Sequence, residues 1–390
     1  MQNDGKRLRR SLLISAFTAC ASVGYASGAA AAPYFQTNLV SNMPGLAELT
    51  DPALVNPWGV SESATSPFWV SDQGTNQSTL YSVTAAGISE PTLSVVMPKT
   101  ASGPQGPTGQ VSNSTAGFLV GNTGKPAAFI FANLNGTITA WNPSLGVAAG
   151  TPAVTEVPAT GAIYTGLAID KSTQQLYAAN GNAGTIDVFN NSFQKVPLGA
   201  SAFVDPKLPT GLVPFNVQEI NGQIYVTYAP AGHPAQTTAT AGDGVVSVFS
   251  TSGAFIKQLI SGGNLASPWG VTLAPSSFGK FGGDLLVGNF SFVDSEINAF
   301  DATTGALEGT IPIDVGTGNT AGGLWDLTFG NGGSGGFPNT LYFTDGINGE
   351  TGGLFGSLSV PEPASVGLLL VGIIGIAGLR RRKRRQIAHA

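Results

Sequence analysis

The sequence predicts an all-β chain closed into a ring of six repeated sheets, and three observations carry that prediction. Between residues 33 and 359 no stretch shows a sustained helical period of apolar residues. Short apolar runs bounded by Gly, Asn, Pro and Asp recur there instead, in a chain with 54 Gly. A two-part unit then repeats six times at a spacing of about 50 residues, the scale of a propeller blade. The fold class read from these is a six-bladed β-propeller, expected over 33–359.

The first part of each unit is a short strand entered by a turn. It reads Asn56-Pro57-Trp58-Gly59, Gly106-Pro107-Thr108-Gly109, Tyr164-Thr165-Gly166, Val213-Pro214-Phe215-Asn216, Ser267-Pro268-Trp269-Gly270 and Gly323-Leu324-Trp325-Asp326. The second part is an apolar strand, a polar turn and another strand. It falls at 68–72 to 79–81, 129–133 to 137–141, 176–180 to 185–189, 224–228 to 245–249, 285–289 to 296–300 and 341–345 to 353–355. Six four-stranded blades packed face to face leave few strand edges exposed, which an open sheet of this size could not achieve. The sixth unit supplies only three strands, whereas 34–40 is strand-like and belongs to no unit. That N-terminal strand is expected to complete blade six and close the ring.

Both ends read as targeting segments. Lys6, Arg7, Arg9 and Arg10 precede an apolar stretch from Leu12 to Ala21 and a small-residue region from Ala26 to Ala32, the plan of a Sec-type signal peptide over 1–32. The single cysteine, Cys20, lies inside it, where Phe17-Thr18-Ala19-Cys20 loosely resembles a lipoprotein acylation box; cleavage near Ala32 leaves a chain without thiol chemistry. At the other end Pro361, Glu362 and Pro363 precede an uncharged apolar run over 364–379 and a basic cluster over 380–385. Sixteen helical residues reach about 24 Å, short of the roughly 30 Å hydrocarbon core, so a transmembrane helix there needs its flanks. The basic cluster would hold the cytoplasmic side, leaving the preceding domain outside.

This tail, residues 360–385, resembles the PEP-CTERM sorting signal. The resemblance implies recognition by an exosortase-type processing protease, a C-terminal membrane anchor before processing, and release to the cell surface or the exopolysaccharide matrix. The repeats resemble NHL-type and lactonase-like six-bladed propellers, in particular an uncharacterised family of exported bacterial proteins. That resemblance covers most of 34–358.

Composition narrows the function. Residues 33–359 hold seven Lys and no Arg against twenty Asp plus Glu, a net charge of −13. Such a domain repels polyanions and lacks the guanidinium fork, so nucleic acid is excluded as a partner. The chain has two histidines, His233 in a loop-like excursion and His389 beyond the basic cluster. One His without Cys or Arg makes no supported catalytic array, and His233 reads as a solvated loop residue rather than a general base.

Corresponding positions of the inner strands converge on the ring axis. Trp58, Phe215, Trp269 and Trp325 therefore form a candidate aromatic wall, with Asn56, Asn216, Thr108 and Asp326 as polar partners; the same aromatics also suit packing between blades. A second ring falls at the ends of the second strands, at Asp72, Asn133, Asn180, Tyr228, Asn289 and Asp345. Converging oxygens there would suit Ca²⁺, whereas Asp and Asn at such positions also shape turns by themselves. Three functions follow: a noncatalytic binding or structural module needing no cofactor, a divalent-metal-dependent lactonase-like hydrolase, and a lectin-like carbohydrate binder.

Overall fold

The computed structural model describes residues 34–360. The signal peptide expected over 1–32, the motif Pro361, Glu362 and Pro363, the apolar run over 364–379 and the basic cluster lie outside the described residues. Among the described residues no helix is long and apolar enough to cross a membrane.

Six sheets follow one another along the chain, antiparallel except for two short parallel pairings, Val40 with Leu49 and Thr151 with Val95. Their inner strands are Pro57–Ser61, Pro107–Ser112, Tyr164–Asp170, Leu212–Ile220, Pro268–Leu273 and Leu324–Phe329. Their second strands are Phe68–Asp72, Phe129–Asn133, Gln175–Asn180, Gln223–Pro230, Leu285–Asn289 and Leu341–Asp345. The strand Phe35–Ser41 pairs antiparallel with Leu354–Ser359, from Phe35 opposite Ser359 to Ser41 opposite Leu354. Blade six is thus completed from the N-terminal side, and the ring is fastened by main-chain hydrogen bonds rather than by side chains alone.

Blade three departs from the expected four strands. After Thr185–Phe189 the chain returns only far enough for Lys195 to bridge Phe189 and for the Val196 N–H to reach the Val188 carbonyl at 2.7 Å. Pro197 comes next and has no N–H to continue the ladder, so the outer strand stops there.

Each junction between blades has its own apolar core. Val60, Phe68 and Phe355 pack where blades six and one meet, Trp69, Phe129 and Trp141 between blades one and two, and Ile130, Leu167 and Phe189 between blades two and three. The series continues through Tyr177 and Val226, then Val246 and Val271, then Leu286 and Phe343. Alternate residues of each strand face opposite junctions, which is the period the sequence displays.

One irregularity repeats in every blade and decides what reaches the axis. The register of each inner strand slips once near its start, between Pro57 and Val60, Pro107 and Gln110, Tyr164 and Gly166, Pro214 and Asn216, Pro268 and Val271, and Leu324 and Leu327. Each inner strand therefore holds one extra residue, a β-bulge that re-aims a side chain. The bulged positions are Trp58, Thr108, Thr165, Phe215, Trp269 and Trp325. The residue after each is Gly59, Gly109, Gly166, Asn216, Gly270 or Asp326. A Cβ on Gly59 would stand 2.6 Å from the Thr108 carbonyl, and one on Gly270 would meet the Trp325 carbonyl, so glycine is what lets neighbouring inner strands approach.

A candidate binding mouth on the ring axis

Four of the six bulged residues are aromatic, and the structure brings all four together. Trp58 stacks on Trp325 with ring centroids 3.4 Å apart, and Trp269 meets both edge-on at 6.1 and 5.7 Å. Phe215 lies 5.8 Å from Trp325, and Phe290 lies 4.2 Å from it. The four residues are at most 4% exposed and form, with Phe290, a seventh apolar cluster. The Trp269 indole N–H donates to the Thr165 carbonyl at 2.9 Å, and the Trp325 indole N–H to Asn56 Oδ1 at 2.9 Å.

The polar residues expected beside this wall separate into two groups. Asn216, Thr108 and Asp326 are spent on seams between blades. Asn216 Nδ2 donates to the Trp269 carbonyl at 3.0 Å, Thr108 Oγ1 donates to the Tyr164 carbonyl at 2.8 Å, and Asp326 Oδ2 accepts from the Val60 N–H at 2.7 Å. Burial pushes the Asp326 carboxyl up to about 7. Asn56 alone stays at the ligand-accessible end, held at φ +45°.

There a cavity of about 590 Å³ opens, with Trp58, Leu134, Ile163 and Phe215 on its walls and Asn56, Gln73, His233, Gln236 and Glu350 among its polar lining. Trp269 and Trp325 lie behind this surface. The rim is a connected polar chain: His233 Nε2 is 2.6 Å from Glu350 Oε2, Asn56 Nδ2 donates to Glu350 Oε1 at 3.0 Å and to Gln73 Oε1 at 2.8 Å, and Gln73 Nε2 donates to the Gln105 carbonyl at 2.8 Å. The hydrogen bond to Glu350 raises the His233 pKa above its ordinary value, against the opposing effect of burial. Glu350 itself sits at φ +64°, a conformation that side-chain-bearing residues adopt at a cost.

His233 is therefore a rim residue with a carboxylate partner, on the one α-helix among the described residues, α1 (His233–Thr237). Its neighbours hold α1 in place: Ser267 Oγ donates to the Gln236 carbonyl and the Phe292 N–H to the Thr237 carbonyl. Sequence reasoning did not place Glu350 or Gln236 at the axis. Both sit in the long turns of units six and four, whose lengths follow no period.

The second ring is present as a set of equivalent positions. Asp72, Asn133, Asn180, Tyr228, Asn289 and Asp345 each stand opposite the residue that begins the bulge, and all are buried. Their hydrogen bonds stay local. Asp72 Oδ2 accepts from Thr79, Asn133 Nδ2 reaches Thr139, Asn180 Nδ2 reaches Asp187, and Asn289 Nδ2 reaches the Asn264 carbonyl. Two members are exceptions: the Tyr228 hydroxyl has no partner among the described residues, and neither does either carboxylate oxygen of Asp345, whose burial holds the carboxyl well above the usual range. Among the described residues no three His, Cys, Asp or Glu side chains come close enough to hold a metal ion.

At the far end of the axis a second cavity of about 470 Å³ is lined by Glu62, Gln110, Lys171 and Gln218. Burial, with the Asp326 charge adding to it, raises Glu62 to about 8.

Fold and tail together define a six-bladed propeller that carries a sorting signal: residues 359–385 match the PEP-CTERM protein-sorting motif. The chain is 30% identical over 272 residues to uncharacterized protein L690 of Acanthamoeba polyphaga mimivirus, covering 67% of this chain and 70% of that protein, and it belongs to the same family. It is also 30% identical over 270 residues to uncharacterized protein R648 of the same virus; that match covers 67% of this chain and 66% of R648, just under two thirds. Among solved structures, a protein of unknown function from Bacteroides thetaiotaomicron VPI-5482 superposes with a TM-score of 0.50 at 12% identity, over 84% of this chain and 76% of that one. That likeness concerns the fold alone.

Proposed function

We propose that the protein is an exported, noncatalytic binding module, anchored by its C-terminal tail, processed by an exosortase-type protease, and presented at the cell surface or in the exopolysaccharide matrix. Its working surface is the mouth at Asn56, and its ligand is a small, largely apolar molecule. The observation that carries this reading is the cavity of about 590 Å³, walled by Trp58, Leu134, Ile163 and Phe215 beneath a rim of fixed polar groups. Apolar walls with a few convergent polar groups are the usual make-up of a small-molecule site.

The test fills the mouth from within. Leu134→Trp enlarges a partly buried wall residue toward the cavity. Small aromatic ligands are expected to bind the parent protein by calorimetry and to lose at least tenfold in affinity for this variant, about 1.4 kcal/mol. Equal binding by a folded Leu134→Trp protein would place the ligand elsewhere.

A further inference from the structure

We propose that Gln236 selects the ligand, and that the ligand is a ring-bearing, mostly apolar molecule with a neutral edge that both donates and accepts a hydrogen bond, as a carboxamide does. This rests on the mouth being the binding site.

Gln236 is 7% exposed and lines the cavity, yet its carboxamide makes no hydrogen bond among the described residues; its backbone is engaged, the N–H by the Gly232 carbonyl and the carbonyl by Ser267 and the Ala239 N–H. The carboxamide is not sealed from solvent and faces the cavity, so a ligand that displaces water there must replace the hydrogen bonds that water makes to it. The polar groups of the rim bond one another rather than Gln236. Asn56 is committed to Trp325, Gln73 and Glu350, and each Glu350 carboxylate oxygen is already held, one by Asn56 and the other by His233.

The surroundings then decide the ligand's chemistry. A cation finds its counter-charge already matched, because Glu350 is paired with His233. An anion would sit beside that carboxylate in a domain of net charge −13. A sugar would present hydroxyls to Leu134, Ile163 and Phe215, which offer no bonds in return. A flat apolar body with one amide edge satisfies both faces of the Gln236 carboxamide and leaves nothing polar against the apolar walls. Its three-residue spacing from His233 puts both on one face of α1, which is how a five-residue helix presents two side chains to one cavity.

The test uses benzamide, acetophenone, benzoate and ethylbenzene, four probes sharing one ring, with affinities read by saturation-transfer NMR on the purified protein. Benzamide is expected to bind in the millimolar range and about tenfold more tightly than acetophenone, which only accepts. Gln236→Leu, close in shape, should erase that preference while ethylbenzene binds at least as well as before. Gln236→Met guards against a folding failure, and a thermal melt confirms that either variant is native. If the four probes bind alike to the parent protein, or if Gln236→Leu and Gln236→Met keep the amide preference, Gln236 does not select and the mouth still stands as a site. If none of the four binds, both readings fall together.

Discussion

The Trp325 indole donates to the Asn56 carboxamide across the junction of the last and first blades, 269 residues apart in sequence, at 2.9 Å. The same carboxamide holds Glu350 and Gln73 through its amino group, so one side chain ties the aromatic cluster to the rim of the mouth.

Removing it should cost both. Asn56→Ala leaves an indole N–H and a carboxylate short of partners and sets at φ +45° a residue that tolerates the left-handed region less well than asparagine, and a loss of about 3 kcal/mol is expected in urea unfolding. Asn56→Gly should recover about 1 kcal/mol of it by relieving the backbone alone. Equal losses would show that φ contributes nothing.

Asp326 predicts how stability follows pH. Its folded pKa of about 7 stands above the unfolded value of 3.8, so the protonated form favours the native state. Stability from this group is complete below about pH 4 and is lost as pH rises through about 7. Denaturation midpoints should therefore fall between pH 4 and pH 8, and Asp326→Asn should flatten that slope. An unchanged slope in the variant would assign it to other carboxyls.

His233 acts in the same direction at higher pH. Its folded pKa is raised, so the pairing with Glu350 is intact below the ordinary value of 6.5 and fades as pH climbs through the raised value. An NMR titration, assigned with His233→Ala, should give a midpoint above 6.5 that returns toward it in Glu350→Gln. A midpoint indifferent to Glu350 would mean that the pair does not persist in solution.

Closure by the N-terminal strand should be all-or-none. Deleting residues 34–40 uncovers Leu354–Ser359 and removes Leu39 and Val40 from the core between blades six and one. Loss of cooperative melting is expected, as for a sheet given a new open edge. A truncated protein with an unchanged melting temperature would show that the ring holds without it.

Calcium offers a check on Asp345. If its two unpartnered oxygens were ligands, millimolar Ca²⁺ would raise the melting temperature by mass action and Asp345→Asn would abolish the rise. With Asp72, Asn133, Asn180 and Asn289 bonded locally, no rise is expected.

The fold was legible because the repeat carries it. Equivalent spacing put Trp58, Phe215, Trp269 and Trp325 at one level of the ring, and a missing fourth strand in unit six pointed to 34–40. The bulge was hidden, since one extra residue per strand leaves the apolar pattern readable in either register. Blade three fell one strand short because the consequence of Pro197 depends on which N–H the ladder needs next. The rim was illegible for a different reason: His233 and Glu350 lie 117 residues apart, on two insertions that obey no period, and only the ring's curvature brings them together. Asp72 and Asn180 show the limit on residue type, for side-chain direction alone separates a turn anchor from a metal ligand.

The pairing of Phe35 with Ser359 also sets an order of events. A chain that crosses a membrane N-terminus first delivers its opening strand at once, but that strand has no partner until the final one has crossed. In the export proposed above, the closing edge of blade six would wait open throughout, and five blades could assemble before it is filled. The sorting motif begins at Pro361, two residues after Ser359. If the chain is exported as proposed, arrival of the signal and completion of the ring coincide, so that a processing enzyme reading Pro361, Glu362 and Pro363 would meet the chain only when everything needed to shut the ring has already emerged.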